Sequence, residues 1–215
     1  VIVFIPRYYA SDVGVPLAVV AGILFFVRWS DVVTDPLMGY LSDHTRSRFG
    51  RRRVWIVAAT PIMMLSVYNL FMPGEQAGGF HLALWSFMLS LGITMMLIPY
   101  YAWGSELSTD YNERSKVTGS RAMFNAFGSL SAQIVPAVAL LFFGLGGSGV
   151  VLELVGMTML VLMPICVLLT VTNVPEPHYQ PQQRVSAKEG LKVMFSNGPF
   201  KRLVAAFMIG SIGLN

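Results

Sequence analysis

Arg28-Trp-Ser-Asp31-Val-Val-Thr-Asp35-Pro36-Leu-Met-Gly39 places three ionisable side chains inside an apolar run over residues 15–41. A run of that length forms a helix that crosses a bilayer, whose hydrocarbon core needs about 20 apolar residues. A charge at the centre of such a span costs about 2.5–3.5 kcal/mol, so three facing lipid would cost on the order of 7–10 kcal/mol. A cost of that size requires that they be paired or solvated. At about 100° per residue, positions 28, 31 and 35 fall within about 60° of arc. Asp31 and Asp35 lie one turn apart on one face, and two like charges that close resist ionising together unless a cation or a proton sits between them. Arg28 shares the face and can pair with one of them. Two readings stand: a site that holds one cation or proton, or a structural ion-pair network between helices. Asp31 is within reach of Arg28, so Asp35 is the sharper candidate for the cation. Pro36 removes a backbone donor and is expected to kink the helix and free a carbonyl near the carboxylates. Gly39, one turn later, allows a close helix approach. Pro36 and Gly39 also fit bundle packing alone.

The composition of the whole chain agrees with this span. Of 215 residues, 54% are hydrophobic and 12% charged, and the mean hydropathy is +0.61. A soluble domain carries about 25% charged residues. Half that density leaves too little polar surface to cover a water-soluble globule. The net charge of +4 and the isoelectric point of about 9.4 do not point to nucleic acid. The basic residues sit in short loops between apolar blocks, where they act as topology signals. The one cysteine, Cys166, lies in an apolar block; it cannot form a disulfide within the chain, and no metal-ligand spacing accompanies it. It reads as packing or lipid-facing bulk.

Residues 1–9 look like the tail of a first membrane helix, followed by a short polar turn from Arg7 to Gly14 with tyrosines at interfacial depth. Further spans are expected over 54–72, 81–104, 118–143 and 149–172, with tight turns at Pro73-Gly74 and from Gly144 to Gly149. The segment 173–199 is proline-rich at first and then amphipathic over 186–195, and 200–215 begins a seventh span. Both ends read as truncated, and no cleavable signal peptide is visible. Arginines crowd the loop 42–53 (Arg46, Arg48, Arg51, Arg52 and Arg53), and Arg114 and Lys116 mark 105–117. Arg184, Lys188, Lys192, Lys201 and Arg202 mark 173–202, whereas the intervening loops carry only Arg7. Positive loops stay cytoplasmic. The expectation is therefore a multi-pass protein of the cell inner (plasma) membrane with its basic loops inside. The amphipathic stretch would lie on the membrane surface.

Other polar groups are fewer. Arg121 opens the fifth span with Asn125 one turn on. Arg121 suits an anionic or hydroxyl-rich solute, or it snorkels to the cytoplasm. Asn125 and Gln133 are polar spots on that helix. Tyr100, Tyr101 and Trp103 follow Pro99; an aromatic beside a polar cavity suits stacking on a sugar face, and equally suits interfacial anchoring. The histidines sit in loops or at span ends without relay partners, and the methionines read as apolar filler. No nucleophile–base pair, glycine-rich phosphate loop or metal cluster argues for an enzyme.

The stretch from Asp31 to Trp55, with its pattern Asp31, Asp35-Pro36, Gly39, Asp43, Thr45, Arg48 and Gly50, resembles the second helix and following loop of a known family. It is that of the glycoside–pentoside–hexuronide:cation symporters, the melibiose-permease-like branch of the major facilitator superfamily. Ile98-Pro99 through Glu106, Asp110 and Arg114 to Arg121 is similar to the same family. The resemblance implies an all-α polytopic membrane protein. It would comprise the N-terminal six-helix bundle over 1–172 with its first helix truncated, a cytoplasmic linker over 173–199 and the start of the C-terminal bundle at 200–215. It implies that Asp31 and Asp35 bind the coupling cation, as metal ligands where that cation is Na+. It implies that Arg121 and an aromatic near Tyr101 meet the solute, with Arg28 and Asn125 as further substrate-binding candidates. Gly39, Asp43 and Arg51 look like the superfamily's cytoplasmic gating motif, clamping loop 42–53 against the opposite bundle.

One departure concerns the ion. The melibiose-permease pattern has an aspartate just before Ile-Pro in the fourth helix, where this chain has Leu97. One carboxylate fewer tilts the expected ion from Na+ towards H+, because a proton needs fewer ligands. The expected function is cation-coupled (H+ or Na+) symport of a sugar or sugar derivative by alternating access. The alternative is the same fold carrying a lysolipid or an organic anion, with Arg28 and Arg121 as headgroup partners. The expected partners are a small-molecule solute and the lipid bilayer; no cofactor beyond the coupling ion is expected, and the expected state is a monomer.

Overall fold

The computed structural model describes residues 4–74, 77–108, 110–143, 148–175, 196–199, 201–202 and 206. Among the described residues the elements are α1 (Phe4–Ser11), α2 (Leu17–His44), α3 (Arg53–Phe71), α4 (Gly79–Glu106), α5 (Tyr111–Phe143) and α6 (Ser148–Asn173). The first six expected spans each fall on one of these helices, with ends shifted by a few residues, and α5 alone starts well before its expected first residue, at Tyr111; the seventh, over 200–215, lies mostly outside the described residues. The amphipathic stretch over 186–195 and the Gly144 end of the turn before α6 lie outside the described residues. The chain divides into two compact units, Val1–Pro177 and His178–Asn215. All six helices belong to the first. In the second, the described residues show a helical hydrogen bond from Lys201 N–H to Asn197 O at 3.1 Å.

Among the described residues four helices, α2, α3, α4 and α6, are long and apolar enough to cross a membrane. Each contains an interior proline: Pro36, Pro61, Pro99 and Pro164. Interior prolines are tolerated in spans because neighbouring helices and hydroxyl side chains re-satisfy the freed backbone groups. Helix α2 runs unbroken through Pro36, so the expected kink does not end the helix. Helix α5 is long enough at 33 residues but is not among the apolar four. Glu113, Arg114, Lys116 and Arg121 fill its first turns, and Asn125, Ser129, Ser131 and Gln133 follow.

Helix α3 is the most enclosed of the four apolar helices. It packs against α4 and α6, while α2 packs on the other side of α4. The share of its apolar window buried inside the chain is 39%, against 6% for α2, which marks α2 as a flank that needs lipid or more protein. Phe25, Phe26, Trp29 and Val33 stand exposed there, as expected of a surface solvated by acyl chains or covered by a second bundle. Two glycines permit the closest helix approaches. A Cβ on Gly92 would lie 2.6 Å from Met63 Cγ, and one on Gly156 would lie 2.7 Å from Phe71 Cβ. Small residues at such crossings let backbones approach in the absence of a hydrophobic drive between spans.

Candidate functional site

Helices α2 and α4 run parallel along a seam in constant register. Ser90 Oγ donates to Asp31 Oδ1 at 2.6 Å. One turn further on, Thr94 Oγ1 donates to Asp35 Oδ1 at 2.8 Å. One more turn brings Gly39 beside Ile98, whose Cγ2 lies 4.0 Å from where a Cβ would stand. The sequence offset is the same at each step, as two parallel helices of equal pitch require. Successive partners four residues apart lie on one face, so the aspartate face of α2 meets a hydroxyl face of α4.

The two aspartates are not equivalent. Asp31 also holds Arg28, whose Nη1 is 3.6 Å from Asp31 Oδ2. Asp35 has Thr94 as its hydrogen-bond partner and no ion pair among the described residues. A carboxylate met only by a hydroxyl keeps most of its acceptor capacity, and the hydroxyl oxygen carries lone pairs that can turn to a cation when its proton rotates away. Two carboxylates and two hydroxyls form a set of hard oxygen donors, the donor type that non-transition cations take. No group of three or more His, Cys, Asp or Glu side chains with metal-binding geometry occurs among the described residues.

Ser90 and Thr94 did not stand out in the sequence. Their signal was available as two hydroxyls one turn apart in an apolar span, but nothing local says which helix they face. Leu97, at the position of the absent carboxylate, is 38% exposed.

Tyr101 and Arg121 come together on neighbouring helices. The Arg121 guanidinium carbon stands 4.4 Å from the centre of the Tyr101 ring, a cation–π contact. Gly104 leaves room for it: a Cβ there would lie 4.0 Å from Arg121 Nη1. Asn125 is exposed one turn beyond Arg121. Tyr101 lies two turns beyond Thr94 on α4, or about 10 Å along the axis.

The arginine loop closes a separate knot at the far end of the same seam. Arg52 is 4% exposed. Its Nη1 donates to Ser42 Oγ at 2.9 Å, and its Nη2 reaches Asp43 Oδ1 at 2.7 Å and Glu106 Oε1 at 2.8 Å. Arg51 Nη2 spans both Glu106 oxygens at 2.8 and 2.9 Å. The sequence pattern singled out Gly39, Asp43 and Arg51. In the structure Arg52 is the buried arginine that meets Asp43, and Arg51 holds Glu106. The reason is phase: Arg52 immediately precedes α3 and points into the bundle. The knot joins the ends of α2 and α4 within one bundle, and Ser42, Arg52 and Glu106 are the members that sequence reasoning did not assign to it.

The profile of the family described as MFS/sugar transport protein matches residues 1–214. The putative glycoside/cation symporter YagG of Escherichia coli (strain K12) is 29% identical across 95% of this chain and 45% of its own length. The sodium-dependent lysophosphatidylcholine symporter 1 of Mus musculus is 27% identical across 97% of this chain and 46% of its own length. An uncharacterized symporter of Synechocystis is 31% identical across 63% of this chain and 27% of its own length. The chain therefore spans less than half the length of these relatives. With several spans that cross a membrane and a profile that runs through nearly every residue, this multi-pass membrane chain belongs to the MFS/sugar transport protein family.

Proposed function

We propose that this chain is the cation-handling half of a symporter that moves a sugar or sugar derivative together with H+ or Na+. The observation that carries the reading is the α2–α4 seam, where two carboxylates one turn apart in a membrane helix each meet a hydroxyl of the next span. Asp35 with Thr94 holds the ion, and Asp31 with Ser90 completes the site while sharing its second oxygen with Arg28. Tyr101, Arg121 and Asn125 form the solute end, two turns away along α4. The names of the YagG relative and of the family support a glycoside or sugar as cargo.

The transport cycle follows from charge. An empty pair of carboxylates in a low-dielectric seam opposes closure of the two bundles around it. A bound cation removes that penalty, and a solute seated at Tyr101 and Arg121 adds contacts in the closed form. Rocking about a site near the midplane then exposes both to the other side. The knot at Arg52 ties the ends of α2 and α4 together on the face carrying the arginine loop, which is the cytoplasmic face of the inner (plasma) membrane by its charge. The Ser90 and Thr94 oxygens offset the carboxylate absent at Leu97, so the site serves Na+ as well as H+.

The test is uptake of labelled glycosides into proteoliposomes holding the full-length protein, driven in turn by an inward Na+ gradient and an inward pH gradient. Accumulation with one gradient names the ion. Accumulation with neither, in vesicles that still catalyse counterflow, would remove cation coupling.

A second reading has its own observation. A cleft of about 620 Å³ between α2 and α4 is lined by apolar side chains, among them Val19, Ile23, Phe26, Val27 and Phe87. Ser30 lines it as well. An acyl chain fits such a wall, with Arg28 for an anionic headgroup, and the mouse relative's name supports a lysolipid as cargo. Thermal-shift screening of glycosides against lysolipids separates the two cargoes.

A further inference from the structure

The last arginine of the loop reaches beyond the knot. Arg53, the first residue of α3, donates from Nη2 to the carbonyl of Val174 at 2.6 Å. Its guanidinium carbon stands 5.6 Å from the centre of the Trp103 ring. Trp103 is 2% exposed, and its Nε1–H donates to the carbonyl of Pro175 at 3.2 Å. Val174 and Pro175 are the two residues that leave α6, which ends at Asn173.

A helix end leaves four carbonyls without intrahelical partners, and its partial negative charge attracts cations. Arg53 and Trp103 meet consecutive carbonyls at that end. Both come from other helices, and each belongs to the arginine knot by position. Arg53 follows Arg52 directly, and Trp103 lies one turn before Glu106, which holds Arg51 and Arg52.

We propose that Arg53 and Trp103 form a clasp that fixes the exit of the chain from α6 to the arginine knot, so that opening the knot and releasing the exit are one event. Arg53 and Trp103 are positioning residues: neither meets the ion or the solute. Rotation of the α4 end that pulls Glu106 from Arg52 also moves Trp103 off Pro175. A shift of the α3 start that withdraws Arg52 also withdraws Arg53 from Val174. Everything after Pro175 thus departs from a point that reports the state of the knot. The link to a transport cycle rests on the symport reading above; the clasp itself does not.

Hydrogen–deuterium exchange on the full-length protein in nanodiscs separates these two levels. The readout is the amide of Val174, bonded to Thr170 O at 3.1 Å, with its neighbours in the last turn of α6. Arg53→Met keeps the aliphatic stem and removes the cation. Trp103→Phe keeps a buried aromatic ring and removes the N–H donor together with the pyrrole part of the indole. Each is expected to raise exchange over residues 170–174 by about tenfold, an opening of the kind that frees local hydrogen bonds without global unfolding. The double variant is expected to add less than the product of the two, because both hold one exit. Glu106→Gln leaves the clasp residues in place and is expected to raise exchange at the same amides at least threefold.

Unchanged exchange in both Arg53→Met and Trp103→Phe overturns the clasp. Raised exchange in these two with none in Glu106→Gln overturns the coupling to the knot. Arg53→Lys, which restores a cation and one donor, is expected to return exchange at least halfway to the native rate. No recovery overturns the assignment to the carbonyl contact. Counterflow by the same variants tests the symport reading separately, since exchange is measured without any solute.

Discussion

The same two helices, α2 and α4, carry polar groups at two depths, and they treat them in opposite ways. In the span, Asp31 and Asp35 meet neutral hydroxyls at 2.6 and 2.8 Å. At the end of the seam, Asp43 and Glu106 meet guanidinium groups at 2.7 and 2.8 Å. The first arrangement leaves negative charge short of compensation; the second neutralises it with guanidinium cations. An under-compensated pair suits a guest that comes and goes, and a fully paired knot suits a latch. Arg28 is intermediate: it touches Asp31 at 3.6 Å, beyond normal hydrogen-bond length, and Asp35 has no ion pair among the described residues.

Four substitutions break or sharpen this contrast. Asp35→Asn removes the uncompensated charge and keeps the shape. We expect gradient-driven uptake in proteoliposomes to fall at least about a hundredfold, equivalent to about 2.7 kcal/mol, while the protein remains folded. Retention of normal driven uptake would sink the role assigned to Asp35.

Arg52→Ala attacks the latch. It strands Asp43 beside a buried gap and leaves Glu106 to Arg51 alone. Loss of one partner of a buried pair costs about 3–5 kcal/mol, and the partial exposure of both carboxylates lowers the expectation to about 2–3 kcal/mol. The thermal midpoint in detergent should drop by several degrees, with ion affinity in the surviving folded protein little changed. A stable Arg52→Ala protein would show that the knot is not an anchor.

Thr94→Val is nearly isosteric and removes only the hydroxyl. One hydrogen bond to a charged acceptor is worth about 1.5–3 kcal/mol when both partners stay in place. With Asp35 partly open to other donors, we expect about a tenfold weaker apparent ion affinity and an unchanged thermal midpoint. A drop in stability without a change in affinity would move Thr94 from the ion site to the packing of α2 on α4.

The smallest effect belongs to Arg51→Ala. Its fork on Glu106 duplicates part of the Arg52 contact, and both partners are partly exposed. Exposed pairs contribute about 0.2–1 kcal/mol, so the shift in thermal midpoint should be a small fraction of that for Arg52→Ala. Equal effects of the two arginines would erase the distinction between the buried and the outer member of the knot.

Much of this was legible before any coordinates. The run 15–41 announced a membrane helix, and the helical period put Arg28, Asp31 and Asp35 on one face. The sequence places both Tyr101 and Arg121 with the solute, but it says nothing of their 4.4 Å contact with each other. Trp103 passed as one more aromatic near an interface, although it is 2% exposed and holds the α6 exit. Among Arg51, Arg52 and Arg53, nothing in three identical neighbours says which is buried.

The division has a physical cause. Hydropathy and the 3.6-residue period are local quantities, and they sufficed for the membrane class, the spans and the shared face of Asp31 and Asp35. The hydroxyls that meet those carboxylates depend on how α2 slides along α4, a register set by side-chain packing between segments far apart in the chain. The fate of each loop arginine depends on the angle at which α3 begins. Only the packed structure decided that Ser90 and Thr94 meet Asp31 and Asp35, that the buried Arg52 meets Asp43, and that Arg53 reaches across to the end of α6.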